Sequence, residues 1–139
     1  VSQEFLITIY HNPNCGTSRN VVAMVEAAGY APTVVEYLKA GWTRDRLDRL
    51  LAAMATTPRA VLRERGTPAA DLGLLDPSAG DEAILAAMIA HPILVNRLIV
   101  VTPRGAKLCR PSELVLTLLD QMPDRFTKED GEVVRAKGG

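Results

Sequence analysis

Tyr10-His11-Asn12-Pro13-Asn14-Cys15-Gly16-Thr17-Ser18-Arg19-Asn20 joins two kinds of local sequence. Before it runs Phe5-Leu6-Ile7-Thr8-Ile9-Tyr10, apolar, β-branched and aromatic, which reads as a buried strand. After it, Ser18–Ala28 reads as a helix stopped by Gly29. A cysteine therefore falls in the turn between a strand and the start of a helix. The first amides of a helix have no partner within it, and the dipole there favours negative charge. A thiolate is negative, so this position predicts a thiol pKa below the free value of about 8.5. The same amides would receive an oxyanion. One loop can then hold both a nucleophilic sulfur and the anion it attacks.

A lone cysteine is also a common small buried hydrophobe. The neighbours of Cys15 weigh against that reading. Gly16 permits close backbone approach, Thr17 and Ser18 bring hydroxyls and are good N-caps, and Asn12, Asn14 and Asn20 are polar amides.

Working outward, Thr33-Val34-Val35-Glu36-Tyr37-Leu38 reads as a second strand, which makes a parallel pair with a right-handed crossover. Gly41 breaks the chain, and Thr43 is placed to cap a helix over Arg44–Met54. Leu47, Leu50, Leu51 and Met54 fall on one face of it, opposite a mixed-charge face that reads as solvated surface. Pro58 fits the first turn of a short helix, Arg59–Glu64, ended by Gly66. Thr67–Leu74 reads as another helical piece, Asp76-Pro77-Ser78-Ala79-Gly80 as a loop, and Asp81–Ala90 as an apolar helix that stops before Pro92. Residues from about 43 to 92 thus read as all helical. Leu98-Ile99-Val100-Val101 reads as a strand, Pro103-Arg104-Gly105 as a turn, and Ala106-Lys107-Leu108-Cys109 as its antiparallel return. Ser112 would cap a last helix, Glu113–Gln121, before Pro123. The tail from Asp124 is charged and is expected to be mobile at its end.

Composition narrows the function. The 139 residues suit a single domain, 1–139, and 47% hydrophobic content is enough to build a core. Sixteen basic against sixteen acidic residues argue against a general nucleic-acid or membrane-surface binder. The first residues lack the basic segment and apolar run of a signal peptide, and no apolar run is long enough to span a membrane. Two cysteines are too few for a disulfide framework, so the expected location is cytoplasmic.

The Cys15 loop resembles the active-site loop of the glutaredoxin-coupled arsenate reductases. The likeness continues in Arg59-Ala60-Val61-Leu62-Arg63, in His91-Pro92-Ile93-Leu94-Val95-Asn96-Arg97, in Val100–Glu113, and in Phe126-Thr127-Lys128-Glu129-Asp130-Gly131. These motifs cover nearly the whole chain in order. The family implies an α/β thioredoxin-like fold, a mixed four-stranded sheet with a helical insertion at about 43–92, which agrees with the order strand, helix, strand, helical insert, strand, strand, helix. It implies a cycle in which the Cys15 thiolate attacks arsenate, glutathione joins the adduct, and glutaredoxin releases arsenite. Glutathione is then a co-substrate, with no bound cofactor and no metal.

Arginine suits a tetrahedral oxyanion, because its planar fork never loses its charge. Arg63, Arg97 and Arg110 each stand where the resemblance implies an anion-binding arginine. Arg97 sits within the apolar stretch Ile93–Val101, where a charge wants a partner. His11, four residues before Cys15, either lowers the thiol's pKa or passes a proton as a histidinium, or is simply an oriented loop residue. His91 reads as favourable charge at the end of its helix.

Ser18 occupies the second cysteine position of a Cys-x-x-Cys dithiol motif, so Cys15 has no local resolving thiol. Cys109 reads as structural. An external thiol is needed, which glutathione and glutaredoxin would supply. The loop groups expected to support the thiolate are Gly16, Thr17 and Ser18, with the Ser18 hydroxyl either bonding the sulfur or capping the helix. Arg19 either adds positive field or points to water. Leu98 departs from the family, which has proline there, and thioredoxin-like folds place a cis-proline before this strand. Either the Leu98 bond is trans and the loop differs, or it is cis. The alternative function is a glutathione-dependent thiol reductase, or a redox or partner-binding regulator of the same fold. The arginine trio favours arsenate reduction.

Overall fold

The computed structural model describes residues 6–109, 112–119, 125–127 and 133–135. They form two compact units: one takes the chain up to Glu36 and again from Arg97, and the other is Tyr37–Asn96.

The first unit is built on a four-stranded sheet. Strand β1 (Thr8–His11) leads into helix α1 (Gly16–Ala27), which returns to β2 (Thr33–Glu36). A parallel pair needs such a crossover, and β1 and β2 pair parallel with Thr8 opposite Thr33 and His11 opposite Glu36. Below, α2, α3 and α4 denote Tyr37–Ala40, Arg44–Met54 and Asp81–Ala90, and β3 and β4 denote Ile99–Thr102 and Gly105–Leu108. Strand β3 lies antiparallel to β1 on its other side, β4 closes the hairpin, and the order is β2-β1-β3-β4. This is the thioredoxin-like α/β fold with helical insertions.

Alternation along the strands builds the core of this unit. Ile7 and Ile9, and likewise Leu98 and Val100, point to one face. They meet Val21, Met24 and Val25 of α1, spaced for one helical face, and Val115, Leu116, Leu118 and Leu119. Each such side chain, fully buried, contributes about 1.5–3 kcal/mol. Gly29, at φ 100°, ends α1. The Gly29 N–H donates to Glu26 O and the Tyr30 N–H to Val25 O, the paired bonds of a Schellman turn.

Several elements differ from the sequence reading. The first strand begins at Thr8 and reaches His11; Phe5 lies outside the described residues. The second strand stops at Glu36, because Tyr37 turns into α2 and stacks on Trp42 with ring centroids 5.4 Å apart. Helix α1 starts at Gly16, with Cys15 as N-cap in place of Thr17 or Ser18.

In the second unit, α3 is capped by Thr43 as expected, the Thr43 side chain accepting from the Arg46 N–H. The helix read over Arg59–Glu64 is a 3₁₀ turn, Arg59–Val61, and residues 67–74 form turns. The unit is not wholly helical: Leu62 and Val95 form an antiparallel bridge, supported by Arg63 N–H to Leu94 O and Asn96 N–H to Val61 O. The Arg59 guanidinium donates to the carbonyls of Leu74, Asp76 and Ala79, which fixes the loop that the Pro77-containing stretch marks.

The last helix is 3₁₀ over Ser112–Leu118, and Gln121 lies outside the described residues. In the tail, β5 (Arg125–Thr127) and β6 (Val133–Arg135) pair antiparallel, where only a charged tail was expected.

Candidate active site

The loop after β1 is wound by its own polar groups. The Asn12 side chain accepts from the Asn14 N–H at 3.0 Å, an Asx turn around Pro13. The Cys15 N–H donates to Asn12 O, and the Arg19 N–H to Cys15 O, both at 3.0 Å. Cys15 is extended at φ −108°, ψ 122°, and α1 begins with Gly16. The Arg19 guanidinium donates back to Pro13 O at 2.8 Å. The cysteine is thereby fixed at the N-cap position with its sulfur half-buried.

Among the described residues three groups favour the charged form of that sulfur. The Arg97 Nε lies 3.2 Å from Cys15 Sγ. The sulfur makes no capping hydrogen bond within ordinary limits, yet the Ser18 and Thr17 N–H groups lie close enough to favour its negative form. Burial pushes the thiol pKa up. The Ser18 amide, the Arg97 guanidinium and the Thr17 amide more than offset this and hold it below the ordinary value. The charge in the apolar approach to β3 thus has its partner in Cys15. The Arg97–Leu98 peptide bond is cis, so of the two alternatives open at Leu98 the backbone takes the cis one, without a proline to favour it.

The Ser18 hydroxyl has a different task from the two expected. It is fully buried, lies 2.7 Å from His11 Nδ1, and accepts from the Asn12 N–H at 3.0 Å. It ties the end of β1 to the first turn of α1. What Ser18 offers the sulfur is its backbone amide. Burial holds the His11 imidazole below its ordinary pKa; Glu36 pulls it up, and Arg19 pushes it further down. Among the described residues the cation at the Cys15 sulfur is Arg97, and His11 is a half-buried imidazole bonded to Ser18.

Cys15, Gly16, Thr17, Ser18, His11 and Arg97 come together in the first unit. Arg63 belongs to the second unit, where its Nε donates to Arg65 O at 3.1 Å. Arg110 lies outside the described residues. Cys109 is buried in the core of the first unit, and burial pushes its thiol up to about 12, with Lys107 acting weakly the other way. His91 is exposed and stands at the end of α4 as expected, as its C-cap, with its backbone N–H donating to Ala87 O. Two residues of the site have roles that the sequence did not assign. Asn12, noted only as a polar neighbour of Cys15, shapes the turn, and the Asn12-Pro13-Asn14 spacing was its signal. Glu36 faces His11 across the ladder; its signal was a lone charge within an apolar strand. Among the described residues no cluster of three or more His, Cys, Asp or Glu is placed to hold a metal, and no helix is long and apolar enough to cross a membrane.

Fold and site together define a thioredoxin-like protein with a single activated thiol and a cation at its side. The family model described as the ArsC family matches residues 10–118. The chain belongs to this family and is an enzyme of the oxidoreductase class. It is 58% identical over 132 residues to an arsenate reductase of Synechocystis sp., covering 94% of this chain and 92% of that one. It is 57% identical over 134 residues to an arsenate reductase of Rhizobium meliloti, covering 96% of each. Among solved structures, the arsenate reductase from Vibrio cholerae superposes with a TM-score of 0.79 at 37% identity, covering 84% of this chain and 100% of that one.

Proposed function

We propose that this protein reduces arsenate to arsenite, with Cys15 as nucleophile and with glutathione and glutaredoxin as the reducing thiols. One observation carries the reading: a thiol at the N-cap of α1, favoured as thiolate by two helix amides, with the Arg97 guanidinium 3.2 Å away. The names of its relatives support the substrate.

In this reading arsenate enters where the free amides of α1 and the fork of Arg97 neutralise it, so an anionic sulfur can approach. The Cys15 thiolate attacks arsenic. A sulfur–arsenic bond forms, an arsenic–oxygen bond breaks, and the departing oxygen leaves as water after protonation. His11 is the group in the loop suited to carry that proton. A glutathione thiol displaces a second oxygen as water and joins the arsenic. A glutaredoxin thiolate then attacks the glutathione sulfur, forming a mixed disulfide. The electron pair of the broken sulfur–arsenic bond stays on arsenic, which passes from As(V) to As(III). Hydrolysis of the Cys15–arsenic bond releases arsenite and restores the thiol.

Ser18 in place of a second cysteine is why the resolving thiol comes from outside. On the resemblance alone, the proposal also assigns Arg63 and Arg110 to anion binding, and treats residues 1–139 as one arsenate reductase-like domain. Dependence on reduced glutathione places such an enzyme in a reducing compartment, the cytoplasm.

The test is arsenate-dependent oxidation of NADPH in the presence of glutathione, glutaredoxin and glutathione reductase. Turnover by the wild type that vanishes in Cys15→Ser is the expected result. A folded wild type whose Cys15 alkylates readily but which does not turn over arsenate would reject the substrate and favour a glutathione-dependent thiol reductase.

A further inference from the structure

Glu36 is the last residue of β2, and His11 is the last of β1. The two are partners in the parallel ladder. Neighbouring strands lie about 4.7–4.9 Å apart, and paired residues of a parallel pair share a face. A carboxylate therefore stands beside the imidazole, both half-buried. On its other side the imidazole meets Ser18, with Nδ1 2.7 Å from the hydroxyl oxygen. That oxygen already accepts from the Asn12 N–H. A hydroxyl has one donor hydrogen and a second acceptor site, so it can meet Nδ1 in either tautomer of the imidazole. Carboxylate, imidazole and buried hydroxyl form a row, and the row ends on the residue whose backbone amide supports the Cys15 thiolate.

We propose that Glu36 is a positioning residue of the Cys15 site, acting through His11 by strengthening the imidazole's hold on a proton. The inference deepens the reading of Cys15 as nucleophile and rests on it: a proton that His11 holds is one it can deliver to an oxygen leaving the anion.

Among the described residues the charges acting on His11 are two. From β2 comes Glu36, whose field makes the imidazole easier to protonate; from α1 comes Arg19, which opposes it. The residues of β3 paired with β1 are Ile99, Val100 and Val101, none titratable. Arg97 is engaged at the sulfur. Removing the Glu36 charge leaves burial and Arg19 unopposed.

The measurement is a proton NMR titration of the full chain, which holds only two histidines, His11 and His91. In Glu36→Gln the His11 midpoint moves to lower pH than in the wild type while that of His91 stays. Glu36→Asp, which keeps the charge, returns it towards the wild-type value. If the amide destabilises the fold, Glu36→Leu removes the charge without leaving a half-buried polar group and shows the same displacement. A merely structural carboxylate would not move one histidine selectively. An unmoved His11 midpoint in a folded charge-removing variant overturns the proposal. The titration needs no arsenate, so failure of turnover would count against the substrate alone, and an unmoved His11 against Glu36 alone.

Discussion

On the proposed reading Arg97 has two tasks. Its Nε, 3.2 Å from Cys15 Sγ, favours the thiolate, and its guanidinium charge would neutralise the oxyanion that the thiolate attacks. Removing a preorganised donor from an anion site costs about 10²–10³ in rate. Arg97→Ala should lower kcat/KM for arsenate about 10²-fold and shift Cys15 ionisation to higher pH, as read by the alkylation rate. Arg97→Lys keeps the charge without the fork and should recover only part of each. An alanine variant with an unmoved thiol would mean that the helix amides alone activate it. His11 is not interchangeable with Arg97, because burial and Arg19 depress its own protonation against the pull of Glu36.

At the scale of elements, the ends of helices show where sequence and backbone agree and where they do not. Helix α1 ends on Gly29 in the left-handed region, as its sequence announces. Helix α3 ends with Ala55 in the same conformation, at φ 53°, with the Thr56 N–H donating to Leu51 O. A Cβ there costs about 1–2 kcal/mol, and glycine in the unfolded chain gives back part of that. Ala55→Gly should therefore stabilise the protein by about 0.5–1 kcal/mol in denaturant melts; a loss would show that the turn is not under this constraint. Alternation and helical spacing made β1, β3, β4, α1, α3 and α4 legible. The segment Ser112–Leu118 was legible as helical but not as 3₁₀, because Val115, Leu116, Leu118 and Leu119 satisfy both periods and the choice is made by packing. The β5–β6 pair was missed although Asp130-Gly131 between Phe126-Thr127 and Val133-Val134 is a hairpin signal; the surrounding charges hid it. In the site, Cys15 and Arg97 could be read from motif and spacing. The ladder partnership of His11 and Glu36 could not, since it depends on the register between strands.

Over the whole molecule, the two cysteines take opposite parts. Cys15 titrates below its ordinary value at a helix end, and Cys109 is held neutral in the core of the first unit, its thiol pushed by burial from 9.0 up to about 12. A thiol whose folded pKa is raised leaves stability complete below its unfolded pKa. Stability is then lost as pH rises, since the unfolded chain ionises first. Between about pH 9 and 12 the protein should weaken, by about 1.4 kcal/mol at pH 10 from this group alone. Cys109→Ala should be less stable at neutral pH, because it leaves a cavity, but its stability should fall less steeply over that range. Equal slopes in urea melts would show that Cys109 ionises freely in the fold. The shifts of Cys15 and His11 work at the other end: both folded values are depressed, so their contribution is present above the unfolded pKa values and is lost as pH falls through the folded ones.

The proposed reaction needs Cys15 to be a thiolate poised for an oxyanion, and the sharpest test is the alkylation rate of Cys15 against pH, with and without arsenate. Cys109, buried and held neutral, does not interfere. The predicted result is a midpoint below that of free cysteine and a rate that arsenate suppresses as its concentration rises. A midpoint at or above that of free cysteine, with no protection by arsenate, would contradict it.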